Sequence, residues 1–216
     1  MRRMLTVFGT CLLMACEPAP APDAGAAAPP AEPPTESASI TLPVTVEAAV
    51  DEAPAPFIPE AFEPPVRVDA GAFVIVPLGP ELVDIDYEAY MSSIEHLQTT
   101  FTRSTGWPRE GISDEEAMLD METEAARFAA RTSFAYAVLT PDGTRERGCV
   151  YVRPASKPGF DAEVKLWVTQ AEFDAGFDPE LYAWARAWVA DTWPFESVAY
   201  PGRAIPWEDW DALPDA

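Results

Sequence analysis

The chain has 216 residues, of which 14 are basic and 36 acidic, giving a net charge of −22 and a sequence pI of about 4.1. A surface this acidic repels phosphate backbones and anionic headgroups, which excludes a nucleic-acid role and leaves an amine or another cationic ligand, or simple solubility, as what the charge serves. Three cysteines exclude a disulfide scaffold.

Residues 1–15 read as a targeting segment. Arg2 and Arg3 supply a positive start, and Met4 to Ala15 is an apolar run too short to span a bilayer as a permanent helix. The run ends in Leu13-Met14-Ala15-Cys16, which resembles a bacterial lipobox. That resemblance implies cleavage before Cys16, diacylation of its sulfur and a lipid-anchored address outside the cytoplasm, at the outer membrane in a two-membrane cell. Arg2-Arg3 also resembles a twin-arginine signal, so both export routes stay open. Removing Arg2 and Arg3 from the 14 basic residues leaves 12 against 36 acidic ones, a net charge of −24. Cys11 would leave with the leader and Cys16 would become the anchor, so Cys149 has no intrachain partner. Its place in an apolar strand predicts a small buried hydrophobe.

Residues 16–67 form the second segment, a Pro/Ala-rich tether. Residues 17–66 hold 13 of the 24 prolines. Proline this dense removes backbone donors and holds the chain extended, which predicts a solvated or disordered spacer. Ile40 to Val46 is β-prone, but Pro43 in its middle limits it to an edge strand.

Residues 68–216 are of a size for one domain with one core. Ala72 to Pro77 predicts a short apolar strand. From Asp84 to Phe101, the residues Tyr87, Tyr90, Met91, Ile94, Leu97 and Phe101 recur three and four apart, one stripe of one helix. Ser113 and Glu116 make a capping-box pattern that opens a second helix. Its inner face runs through Met118, Met121, Ala125 and Phe128, and Glu115, Asp120, Glu122 and Glu124 form the solvated face.

Phe134 to Val168 carries three runs rich in Val, Tyr, Phe and Trp, separated by Gly and Pro, as an antiparallel meander requires. Asp142-Gly143 sits where a hairpin turn tolerates positive φ. Asp178 and Pro179 then predict a third helix, with Asp178 as N-cap. Its buried stripe is Leu181, Trp184, Ala185, Trp188 and Val189. Ser197 to Tyr200 adds a strand, and a Trp-rich tail over 205–213 follows.

Strand, two helices, meander, helix, strand resembles the order of the GCN5-related N-acetyltransferases. FAYAVLTPDGTRERGCVYVRP over 134–154 looks like the central hairpin of that fold, and AEVKLWV over 162–168 looks like the strand that ends at its acyl-CoA site. The resemblance implies an α/β (α+β) class with a mixed, mainly antiparallel twisted sheet. It also implies a gap between splayed strands at 163–169 and 197–200, a helix N-terminus near Asp178 facing the pyrophosphate, and acetyl-CoA as cofactor. By the same resemblance Trp167, Val168, Thr169, Gln170 and Gly176 would face the cofactor. Glu163 or His96 would serve as general base and Tyr200 as proton donor to the thiolate.

The text departs from the family at the cofactor loop. Thr169 to Pro179 lacks the family's glycine spacing, and Glu172, Asp174 and Asp178 place carboxylates where phosphate would sit. Two readings follow: an acyl-CoA-dependent transferase acting on an amine, or a domain of that fold that has lost its cofactor loop and binds an envelope ligand or protein. Arg153 and Arg203 are scarce cations, fit to grip a carboxylate or to make structural ion pairs. No His, Cys or Asp spacing predicts a metal.

Overall fold

The computed structural model describes residues 57–216. The leader over 1–15, Cys16, the stretch Ile40 to Val46 and the spacer as far as residue 56 lie outside them.

The sheet has six strands in sequence order: β1 (Val68–Asp69), β2 (Val74–Pro77), β3 (Phe134–Leu139), β4 (Glu146–Pro154), β5 (Ala162–Val168) and β6 (Val198–Ala199). Every neighbouring pair is antiparallel except β5 and β6, which are parallel. This is the mixed, mainly antiparallel GCN5-like arrangement that the sequence implied. The hairpin between β3 and β4 turns at Gly143 with φ 72°, and the Asp142 carboxylate accepts from the Thr144 amide.

Helices cover both faces of the sheet, which is why its central strands read as continuous apolar runs. On one face, Phe134, Tyr136 and Val138 meet Leu181, Ala185, Trp188 and Val189 of α5 (Phe177–Thr192). On the other, Ala135, Ala137 and Leu139 meet residues of three helices, α1 (Val83–Met91), α2 (Ile94–Thr100) and α3 (Asp114–Ala129). The period of two along β3 divides the core into these layers. The capping box closes as predicted: the Ser113 hydroxyl accepts from the Glu116 amide, and the Glu116 carboxylate accepts from the Ser113 amide.

Five expectations need correction. The helix predicted over 84–101 is two helices. Ser92 donates its hydroxyl to the Ala89 carbonyl at 2.7 Å, and Ser93 leaves helical geometry with ψ 26°, the local competition that serine offers a helix backbone. Glu124, expected on the solvated face of α3, is buried, and its carboxylate accepts from Arg127 at 2.7 Å and from Arg153 at 3.2 Å.

The spacer expected over 16–67 surrenders its last residues to the fold. Phe57 stacks on Phe134 and Phe195, Ile58 is 2% exposed, and the Phe62 ring lies 5.2 Å from that of Trp193. Arg131 donates to the Pro59 and Phe62 carbonyls, replacing the ladder partners that an extended proline-rich backbone lacks.

The predicted N-cap of α5 is displaced as well. Gly176 is the N-cap, in the left-handed region at φ 83°, and Asp178 stands inside the first turn. Residues that were expected to form an irregular loop instead make α4 (Gln170–Asp174), capped by Thr169.

Candidate functional site

β5 and β6 pair over two steps only, Ala162 with Val198 and Glu163 with Ala199. Past that point the chains part. β5 runs on through Leu166, Trp167 and Val168, while the other chain turns at Gly202, whose amide donates to the Ile205 carbonyl at 2.8 Å. The gap is a cleft of about 300 Å³. Leu166, Trp167 and Val168 form one wall, and Gly202, Arg203 and Trp207 form the other. His96, Thr99 and Thr100 of α2 border it, and Phe173 and Asp178 close one end.

Local sequence explains both walls. Gly202 has φ 73°, and a Cβ there would lie 2.4 Å from the Trp207 ring, so only glycine lets the indole pack across the turn. Trp207 opens α6 (Trp207–Ala212). Its ring has the Arg103 guanidinium 4.8 Å from its centroid and the Lys165 ammonium at 5.7 Å. Arg103 also holds both oxygens of Asp211, and Lys157 donates to Asp215 and to the Leu213 carbonyl. These contacts hold the C-terminal segment beside the cleft.

The electrostatics centre on Asp178. Both of its oxygens accept from the Arg203 guanidinium, one at 2.7 Å, in the bidentate fork that arginine offers a carboxylate. A carboxylate in the first turn already uses the partial positive charge of the α5 N-terminus. The other two acids of the loop do not share the cleft. Glu172 is buried and held by Arg145 at 2.7 Å and Arg147 at 2.6 Å. Burial pushes its pKa up, but the two guanidinium groups outweigh that and hold it below the usual carboxylate range. Asp174 accepts from the Gln170 side chain at 2.8 Å.

Of the residues singled out in the sequence, His96, Trp167, Val168, Asp178 and Arg203 come together at the cleft. The His96 ring lies 4.9 Å from that of Phe173, and burial lowers its pKa below the ordinary histidine value. The Trp167 indole N–H donates to the Tyr151 hydroxyl at 3.3 Å. Glu163 is buried at the last paired step of β5, 2.6 Å from Lys165 and 2.7 Å from the Ser156 hydroxyl. Burial raises its pKa, yet those two partners bring it below the ordinary value, the reverse of what a general base near neutrality needs.

Tyr200 packs on the α5 side of the sheet, its ring 5.7 Å from that of Tyr182, and burial pushes its hydroxyl up to about 12. Thr169 and Gln170 serve as N-cap and first residue of α4, and the Gln170 amide donates to Ser93 Oγ. Gly176 supplies the turn into α5. Arg153 is a structural ion pair with Glu124, and Arg203 is one with Asp178.

A second constellation was not visible in the sequence. Asp86, Glu146 and Cys149 are buried together on the α1 side of the sheet, with one donor atom from each within 4.8 Å of the others. Burial pushes the Asp86 carboxyl up to about 7, and Glu146 beside it rises well above the ordinary value for the same cause. The one available hint was that Asp86 lies four residues before Tyr90, on the inner stripe of its helix.

No family profile and no curated protein matches this sequence. Solved structures with a similar chain trace are acetyltransferases. The ribosomal-protein-S5-alanine acetyltransferase of Vibrio fischeri is 10% identical, over 58% of this chain and 67% of that one, with a TM-score of 0.45. The RimL ribosomal L7/L12 alpha-N-protein acetyltransferase in complex with coenzyme A is 15% identical, over 58% and 66%, with a TM-score of 0.44. An acetyltransferase of the GNAT family from Streptococcus pneumoniae is 10% identical, over 56% and 68%, with a TM-score of 0.37. Likeness at this level says nothing about what this chain binds or does.

Proposed function

We propose that the domain is a ligand-binding module on a GCN5-like sheet, held through Cys16 at a membrane outside the cytoplasm, and that it does not use acyl-CoA. The observation that carries this reading is the Asp178 and Arg203 pair in the first turn of α5. A pyrophosphate at that turn must displace a carboxylate already bound at both oxygens. It also forfeits the helix N-terminal charge that makes such sites attractive to anions. Glu163, committed to Lys165 and Ser156, offers no base to complete a transfer.

The cleft suits a small amine. Phe173 and Trp207 supply aromatic surfaces that attract a cation, while the Asp178 charge is already answered by Arg203. The lipid anchor is supported by Arg2, Arg3, the apolar run and Leu13-Met14-Ala15-Cys16, and the proline-dense segment behind it gives the domain reach from the membrane.

The second reading, acyl-CoA-dependent transfer to an amine, is favoured by the splay of β5 from β6, since the gap lies where that chemistry would need it. Isothermal titration of the chain with acetyl-CoA and, separately, with a panel of primary amines distinguishes the two. No heat with acetyl-CoA at millimolar concentration, together with amine binding that Phe173→Ala abolishes, is the expected result. Saturable acetyl-CoA binding with acetyl transfer to any amine of the panel overturns it.

A further inference from the structure

Arg147 is an extra residue in the β3 and β4 ladder. Gly148 faces Val138, but Glu146 faces Leu139, so two residues of β4 answer one step of β3. A bulge of this kind reverses which face the preceding side chain occupies. Glu146 is thereby turned to the face of Leu139, Cys149 and Tyr151, beneath α1, where Asp86 stands. In an unbroken strand Glu146 would share the opposite face with Val150.

The consequence is two carboxyl groups and a thiol in one buried place, with Asp86 3%, Glu146 1% and Cys149 0% exposed. Neither oxygen of Glu146 accepts from any group outside the cluster among the described residues, so the Asp86 carboxyl and the Cys149 thiol are its only polar neighbours there. The cations that flank Glu146 in the chain do not help, because Arg145 and Arg147 both turn to Glu172. Two buried carboxylates this close repel, and leaving them uncompensated costs several kcal/mol. A shared proton would remove one charge and engage one oxygen of each group. A divalent cation would answer both charges and also recruit the sulfur.

We propose that Asp86, Glu146 and Cys149 form a site for one divalent transition-metal ion of the zinc class, bound through two carboxylate oxygens and a thiolate. The ligand set identifies the class. Thiolate selects zinc, cobalt or cadmium over magnesium and calcium, which require more oxygens than these residues offer. At ordinary zinc bond lengths the donors of a tetrahedral site are about 3.5 Å apart, so small side-chain rotations close the present spread of up to 4.8 Å. Three protein ligands leave a fourth position open. On binding, the proton shared by Asp86 and Glu146 and the proton of Cys149 Sγ leave to solvent as the oxygen–metal and sulfur–metal bonds form, because coordinating groups are held deprotonated by the ion. A pocket of about 180 Å³, lined by Ser92, Thr144, Arg145 and Glu146, borders the cluster at Glu146.

The proposal is independent of the cleft and of acyl-CoA, and it is tested with cobalt. The full chain carrying Cys11→Ser and Cys16→Ser keeps Cys149 as its sole thiol. Refolded with Co²⁺, it is expected to retain one ion per chain after desalting, to show a thiolate-to-cobalt charge-transfer band, and to lose that band when Zn²⁺ is added. Adding Cys149→Ser removes the band, and Glu146→Gln weakens the ion's affinity by about 10-fold or more. Circular dichroism confirms that each variant is folded. A folded parent chain that retains no metal and gives no band holds only a shared proton and overturns the proposal. So does a band that survives Cys149→Ser.

Discussion

Arg203 closes on both carboxylate oxygens of Asp178, a residue 25 positions earlier in the chain. The pair ties the turn after β6 to the first turn of α5 and so fixes the width of the cleft between β5 and β6. Both side chains are mostly buried, at 25% and 13% exposed, so the interaction is not a solvent-screened surface contact.

Arg203→Ala leaves the Asp178 carboxylate half of a broken pair and is expected to destabilise the domain by about 1–3 kcal/mol. Asp178→Asn with Arg203→Ala is expected to cost less than the sum of the single changes, because no charge is then left unpaired. Urea unfolding of the two single variants and the double variant measures the coupling.

Ile58 lies in the segment that composition assigns to the spacer, yet it is buried in the core on the α5 face of the sheet. Ile58→Ala is expected to cost about 2–4 kcal/mol, as a buried aliphatic truncation does. The same change in a true spacer would be silent. Thermal unfolding followed by circular dichroism separates the two outcomes.

Acid is expected to unfold the domain through Glu172 and Glu163. Both carboxyls are held below the ordinary value of 4.5 in the fold, Glu172 by Arg147 and Arg145 and Glu163 by Lys165 and Ser156, each against the opposing effect of burial. A lowered folded-state value means stability that is present above 4.5 and lost as pH falls through that lower value. The urea midpoint should therefore fall as the pH drops below 4.5. Glu172→Gln should lower the midpoint at neutral pH and flatten the decline.

Cys16 is expected to carry the membrane anchor. The mature chain should begin at Cys16 with a diacylated sulfur, and intact-mass spectrometry of the membrane fraction checks this. Cys16→Ser should abolish the lipid mass and release the domain from the membrane. A chain that retains residues 1–15 and carries no lipid would refute the lipobox reading.

The sequence by itself determined what depends on near neighbours. The alternation along β3, Asp142-Gly143 at its hairpin, the Ser113 and Glu116 capping box and the stripe of α5 are each written within a few residues. They were enough to place the meander between helices, and the mixed sheet was what the resemblance built on that order implied. Glycine spacing and acid content around 169–178 also marked a departure from the family the sequence resembles.

Tertiary structure decided what those signals cannot reach. The stretch over 84–101 carries one unbroken apolar stripe, but Ser92 breaks it by a local bond to the Ala89 carbonyl, and a tertiary contact, the Gln170 amide donating to Ser93 Oγ, holds the break. Three acids looked alike in the loop, but distant arginines took two of them, Glu172 away from the cleft and Asp178 within it. Asp86 and Glu146 are 60 positions apart and meet because one extra residue, Arg147, reverses a strand face. The physical reason is common to all three: periodicity and capping are short-range and additive along the chain. Strand register and ion pairing across the sheet are settled only when remote segments compete for the same buried space.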